Sequence, residues 1–249
     1  MSILKIKKEI SNLLNKEANL NNNFSYPNEL FLVTDSKGKY INSIVPDRFK
    51  SFLRIYVKGG AGIHSPIVKR AIENIKVAHN PLVVIWFGTC ELSTKSGKFS
   101  DIIRNPYQTV EQLLTEYRQI KRDILLANSS AKVVFLECPY FSILLWNKSQ
   151  RIQCTPSIVR KYTRQDSQLK LVIDYYNQQL ELINRSTSIP VPTISKDQII
   201  TSKKRRLSRT KQKINFKTLL FDGIHPKRPI ARLWMHRIVR FARLQKAHE

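Results

Sequence analysis

The sequence predicts an α/β fold, a three-layer sandwich with helices on both faces of a central, mostly parallel five-stranded sheet. Three observations carry this expectation. Residues 30–33 (Leu-Phe-Leu-Val) and 82–87 (Leu-Val-Val-Ile-Trp-Phe) are apolar without interruption, as in strands buried on both faces. Such runs alternate with longer segments whose apolar residues recur at helical spacing. Each run also breaks into small or polar residues at its carboxyl end, and that edge of an open α/β sheet is where ligands and chemistry sit.

Taken in order, residues 2–19 read as an amphipathic helix, with Ser2 as its cap and Ile3, Ile6, Ile10, Leu13 and Leu14 on one side. Residues 1–24 are expected to be a helical extension that packs outside the core or on a partner, and residues 25–249 the α/β domain. The first strand runs into Thr34-Asp35-Ser36, with Gly38 just beyond. The second, residues 52–57, runs into Lys58-Gly59-Gly60-Ala61-Gly62. Glycines there let a backbone N–H approach a ligand closely, or simply make a tight turn. A helix follows over about 65–78, and the third strand, 82–87, ends in Gly88-Thr89-Cys90-Glu91. The spacing of Val110, Leu113, Leu114, Tyr117, Ile120, Ile124 and Leu125 predicts a helix over 109–127, and the fourth strand is 132–137. The loop after it (Tyr140, Phe141, Leu144, Leu145, Trp146) either walls a cleft or joins the core. A helix over 166–185 and a short fifth strand near 189–191 complete the sheet, and a last helix covers about 229–245.

Charge is where the composition departs from average. Forty-three Lys and Arg against 18 Asp and Glu leave a formal charge of +25 in 249 residues. An excess of that size points to a polyanion, RNA or DNA before an anionic membrane, or else to a lysine-rich bias of the source. It concentrates in Lys203, Lys204, Arg205, Arg206, Arg209, Lys211 and Lys213, within a basic insertion at about 200–214. That run has too little apolar content for a core, so it is an exposed loop or a nucleic-acid or nuclear-import segment. Arg232, His236, Arg240 and Arg243 make a second basic stripe on the last helix. Three widely spaced cysteines, Cys90, Cys138 and Cys154, fit neither a disulfide framework nor a zinc ribbon, which suggests a reducing compartment, cytoplasmic or nuclear. The charged N-terminus has no secretory pattern, and no apolar run is long enough to span a membrane. No group of histidines, acids and cysteines has ligand spacing, so neither metal nor cofactor is expected.

Near the C-terminus, Phe221-Asp222-Gly223-Ile224-His225-Pro226 supplies an aspartate and a histidine three residues apart. With a serine after the first strand, these are the parts of a nucleophilic hydrolase, or else a helix cap and a turn. The four loops 34–38, 59–62, 88–91 and 222–225, in that order, resemble the SGNH (GDSL-type) hydrolase family over roughly residues 29–245. That family carries Gly-Asp-Ser after the first strand, an oxyanion-hole glycine after the second, Gly-x-Asn-Asp after the third and Asp-x-x-His near the C-terminus. The resemblance implies a flavodoxin-like topology, Ser36 as nucleophile, His225 as its base and Asp222 as the residue that orients the imidazole. It also implies an oxyanion hole from Ser36, Gly60 (or Gly59) and Cys90. Thr34 stands where the family has glycine, and Cys90 where it has the asparagine that donates to the oxyanion. A thiol is a weak donor. Two functions follow as expectations: an acyl or acetyl esterase on a basic, nucleic-acid-associated protein, or a weak or inactive SGNH-fold module that binds RNA or DNA, as in a viral or mobile-element context. A third, an acyl-lipid hydrolase on anionic membrane, lacks an apolar helix face to support it.

Overall fold

The computed structural model describes residues 2–19, 29–60, 62–186, 190–203 and 210–247. Its elements in chain order are α1 (Ile3–Asn19), β1 (Leu30–Thr34), α2 (Ser36–Asn42), α3 (Asp47–Lys50), β2 (Leu53–Val57), α4 (Pro66–Ile75) and β3 (Leu82–Trp86). A hairpin follows, β4 (Ser93–Ser96) and β5 (Phe99–Ile102), then α5 (Pro106–Ala127), β6 (Lys132–Phe135), α6 (Ile143–Ser149) and α7 (Pro156–Ile183). A second hairpin, β7 (Ile199–Lys203) and β8 (Thr210–Ile214), precedes α8 (Phe216–Leu219) and α9 (Arg228–Ala247).

The central sheet is parallel, in the order β2-β1-β3-β6, with Leu30 opposite both Leu53 and Leu82, and Leu82 opposite Lys132. Alternate residues of the buried strands feed two cores, because successive side chains point to opposite faces. Phe31, Val33, Val83, Ile85, Val133 and Phe135 meet α4, α5 and α7 on one face. Leu30, Leu32, Leu82, Val84, Trp86 and Val134 meet α1 and α9 on the other. There Trp86 and Trp234 pack edge to face at 5.5 Å, a geometry worth about 0.5–1.5 kcal/mol beyond area burial. Ile6, Ile10 and Leu13 are buried in this second core, so α1 docks on its own chain against α9.

The sheet has four strands among the described residues, not five. Ile189 lies outside them, and 190–193 is not a strand. The free side of β6 and of the chain leaving it is met instead by side-chain amides. Asn184 bonds the N–H and C=O of Phe135, Asn177 those of Cys138, and Gln198 those of Tyr140, at 2.7–3.0 Å. Each amide offers the donor and acceptor a neighbouring backbone would offer, so the peptide groups of Phe135, Cys138 and Tyr140 are paired without a fifth strand. The basic run is also more ordered at its flanks than a loop: Ile199–Lys203 and Thr210–Ile214 pair antiparallel, with Ile199 opposite Ile214. Helix α7 starts ten residues before the expected position, at Pro156 behind a Thr155 cap. Among the described residues, no helix is long and apolar enough to cross a membrane.

Candidate active site

Strand β1 ends at the carboxyl edge, and the chain turns into α2 within one residue. Asp35 caps that helix: its Oδ1 accepts the Lys37 N–H at 2.9 Å. Ser36 is therefore the first helical residue and stands half-buried above the sheet edge. The turn is tight because Thr34 and Gly38 share one space. A Cβ on Gly38 would lie 2.1 Å from Thr34 Cγ2, so the bulk at position 34 is matched by its absence at 38. Beneath Ser36, Lys37 is fully buried. Its ammonium donates to the Asp35 carboxylate and, at 2.8 Å, to Thr89 Oγ1, and it lies 5.4 Å from the Trp86 ring centroid. Burial, the largest single influence, would lower the Lys37 pKa, but the charge and hydrogen bond of Asp35 together with the nearby Cys138 and Cys90 raise it overall.

The 222–225 loop comes to the same edge. Asp222 Oδ1 accepts the N–H groups of Ile224 and His225 at 3.0 and 2.9 Å, which folds the loop onto its own carboxylate. Gly223 sits at φ +97°, and a Cβ there would come 2.6 Å from the Ser142 carbonyl oxygen, so the position requires glycine. The imidazole lies between Tyr40 at 5.3 Å and Trp146 at 5.9 Å. Its Nδ1 is 2.7 Å from Asp222 Oδ2 and its Nε2 is 3.0 Å from Ser36 Oγ. With Nδ1–H donating to the carboxylate, Nε2 is free to accept the serine proton. Burial pushes the Asp222 pKa up, but the hydrogen bonds from the His225 ring and the two backbone N–H groups prevail and hold it below the usual range.

Two further loops complete the cavity. Gly60, at φ +68°, stands exposed with open space where a Cβ would be. Glu91 ties this loop to the next: Oε1 accepts the Ile63 N–H at 2.7 Å and Oε2 the Gly88 N–H at 2.9 Å. Burial nevertheless raises the Glu91 pKa. Cys90 lines the cavity with Ser36 and Gly60, and burial, reinforced by the Asp35 charge, pushes its thiol up to about 11. At neutral pH it is a protonated S–H group. The cleft measures about 460 Å³ and is also lined by Thr89, Ser93, Thr94, Lys95, Ser100, Trp146 and Ile224.

Ser36, His225, Asp222, Gly60 and Cys90 thus come together from four separate loops. The aromatic loop after β6 divides: Tyr140 and Phe141 enter the core, while Trp146 walls the cleft. The basic stripe on α9 does not form one surface. Arg232 is exposed and Arg240 half-buried, but His236 and Arg243 are 1% and 8% exposed and are not presented to solvent. Helix α1 packs along α9, and His236 stands edge-on to Phe49 of α3 at 6.3 Å. In the basic run, Lys204, Arg205, Arg206 and Arg209 lie outside the described residues; Lys203 belongs to β7, Lys211 and Lys213 to β8, and Lys213 is exposed. Sequence reasoning missed Lys37, Glu91 and the β4–β5 hairpin. Glu91 had a signal, a lone acid just past the most apolar strand; the burial of Lys37 had none. Among the described residues, no three His, Cys, Asp or Glu side chains cluster as metal ligands would.

No sequence-family model and no curated protein matches the chain. Solved structures do. A protein provisionally described as a platelet activating factor from Streptococcus pneumonia superposes with TM-score 0.51 at 11% identity, over 95% of this chain and 94% of that one. A carbohydrate esterase family 3 protein from Talaromyces cellulolyticus gives 0.47 at 13%, over 88% of this chain and 98% of that one. A provisionally assigned GDSL-like lipase from Parabacteroides merdae gives 0.49 at 13%, over 88% and 97%. At such identities the likeness is one of fold alone, an α/β fold built on a parallel sheet.

Proposed function

We propose that the protein is a serine ester hydrolase of SGNH type. The observation that carries this is the continuous line from Ser36 Oγ to His225 Nε2 (3.0 Å) and from His225 Nδ1 to Asp222 Oδ2 (2.7 Å), open to a cleft at the carboxyl edge of the sheet. In this reading Ser36 Oγ attacks the ester carbonyl while His225 takes its proton. Asp222 holds the ring in the tautomer that leaves Nε2 free and stabilises the imidazolium. The tetrahedral oxyanion receives the backbone N–H groups of Ser36 and Gly60 and the Cys90 S–H. His225 then returns the proton to the departing alkoxide, and the alcohol leaves an acyl-serine. Water, deprotonated by the same ring, attacks that acyl group and releases the acid. Glu91 keeps the second and third loops in register, so the donors meet the oxyanion without rearrangement. The weak Cys90 donor makes the enzyme slow beside one with an amide there.

Hydrolysis of short 4-nitrophenyl and acetyl esters tests this. The expected result is turnover lost in Ser36→Ala and His225→Ala, by about 10³-fold or more. Turnover that survives Ser36→Ala sinks the reading.

A second reading is favoured by the +25 charge: the protein holds RNA or DNA through Lys213, Arg232 and the rest of its basic residues, with or without turnover. Such binding is backbone-driven, so log Kd should rise with log salt by roughly 0.9 per phosphate neutralised on a duplex. Salt-independent or absent binding removes it.

A further inference from the structure

The wall of the cleft beside His225 carries a charge that the hydrolytic machinery does not use. Hairpin β4–β5 overhangs the site and is fixed to α6 at two points. Asn147 Nδ2 donates to the Ser100 carbonyl and its Oδ1 accepts the Ser100 N–H, both at 2.7 Å. Trp146 Nε1 donates to the Lys98 carbonyl at 3.1 Å. Lys95 is paired with Ser100 in the hairpin register, so this clamp fixes the backbone that carries it. Its ammonium lies 5.3 Å from the Trp146 ring centroid, and that ring in turn stands edge-on to His225 at 5.9 Å.

The carboxylates nearest the site are each engaged elsewhere. Asp222 bonds His225, Glu91 bonds Ile63 and Gly88, and Asp35 bonds Lys37. No carboxylate lines the cleft, and among the described residues none pairs with Lys95. A cation held over an aromatic face, beside hydroxyls of Ser93 and Thr94 and without a counter-ion, is a ready partner for an anion. Its position across the Trp146 ring from the imidazole that protonates the leaving group puts it toward the alcohol side of the ester.

We propose that Lys95, on its Trp146 platform, forms a subsite for an anionic group on the alcohol portion of the substrate, so that the preferred substrate is an acyl ester of a phosphorylated or carboxylated polyol. This rests on the hydrolase reading and adds to it a substrate class. The overall positive charge draws anions to the whole surface. Lys95 acts within the cleft, and that difference is measurable.

The experiment compares acetate release from O-acetylglycerol and O-acetylglycerol 3-phosphate by the wild type, Lys95→Glu, Lys95→Ala and Lys95→Arg, at low and moderate salt. The expected result is a kcat/KM about 10-fold or more higher for the phosphorylated ester. Lys95→Glu should reverse that ratio, Lys95→Ala should bring it near one, and Lys95→Arg should keep it. Lys95 is exposed, so these variants fold. A ratio near one in the wild type overturns the subsite and leaves the hydrolase reading standing. A high ratio that survives Lys95→Glu overturns it too, because the preference then belongs to the general field. Hydrolysis of neither ester, with Ser36 unreactive to acylating probes, overturns the hydrolase reading and this one with it.

Discussion

Cys90→Asn places an amide where the cleft now has a thiol. Cys90 lines the cavity with Ser36 and Gly60 and is half-buried, so the slightly larger side chain has open space to enter. The pKa near 11 keeps the thiol protonated, and a neutral S–H donates weakly. A full oxyanion donor is worth about 10²–10³ in kcat, or about 2.7–4 kcal/mol. In the proposed oxyanion hole the thiol would already supply part of that, and an asparagine must give up rotamer freedom to aim its N–H, so the gain should be about 10–100-fold. It should fall on kcat with KM little changed, because the added bond strengthens only as the carbonyl oxygen gains charge. Steady-state kinetics on 4-nitrophenyl acetate, normalised to active sites by titration, measure it. Cys90→Ala should lose a few-fold. A Cys90→Asn protein that folds and presents its serine as the wild type does, yet turns over no faster, would refute the assignment of Cys90 to the oxyanion hole.

Three other outcomes follow from the surroundings of Ser36. Lys37→Met leaves the buried Asp35 carboxylate without its cation and should cost about 3–5 kcal/mol in urea unfolding; the Asp35→Asn, Lys37→Met pair keeps the helix cap and should recover most of it. Gly38→Ala forces a Cβ into Thr34 Cγ2 and should cost about 1–3 kcal/mol, and Thr34→Gly in the same chain should restore stability, a non-additivity that a double-mutant cycle reads directly. Because its pKa is raised, Cys90 stays a thiol until the pH approaches 11: iodoacetamide at pH 8 should modify the exposed Cys154 and spare Cys90, whose labelling rises only in alkaline buffer, as peptide mapping will show.

What the sequence disclosed of this fold was whatever depends on local pattern. The uninterrupted run at 30–33, the helical spacing of Val110, Leu113 and Tyr117 and the glycines after the first three strands are read from neighbours along the chain, and they put the edge loops in order. The fifth strand was expected near 189–191 to complete the sheet beside β6. The structure meets that need with Asn177, Asn184 and Gln198, and an amide side chain leaves no periodic signature. The α9 stripe failed for a related reason: helical spacing shows which residues share a face, not which partner covers it, and α1 covers part of this one. Lys37 is the sharpest case. A lysine beside a serine reads as solvent-facing, and its burial rests on the Asp35 carboxylate two residues back and on Thr89 from a loop 52 residues away. The four chemical loops were legible because glycine, aspartate and histidine at strand ends are few. The charge in the cleft wall was not, because it rides on a hairpin whose register is set by Asn147.

The most direct test of the central claim is covalent. A fluorophosphonate reacts with a serine only when a base in line withdraws its proton, independent of the natural ester. Intact-mass and peptide analysis of the treated protein should find one adduct, on Ser36, formed at a rate that falls at least 10²-fold in His225→Ala and absent in Ser36→Ala. A folded wild type that takes no label at Ser36, or that takes it equally without His225, would contradict the account.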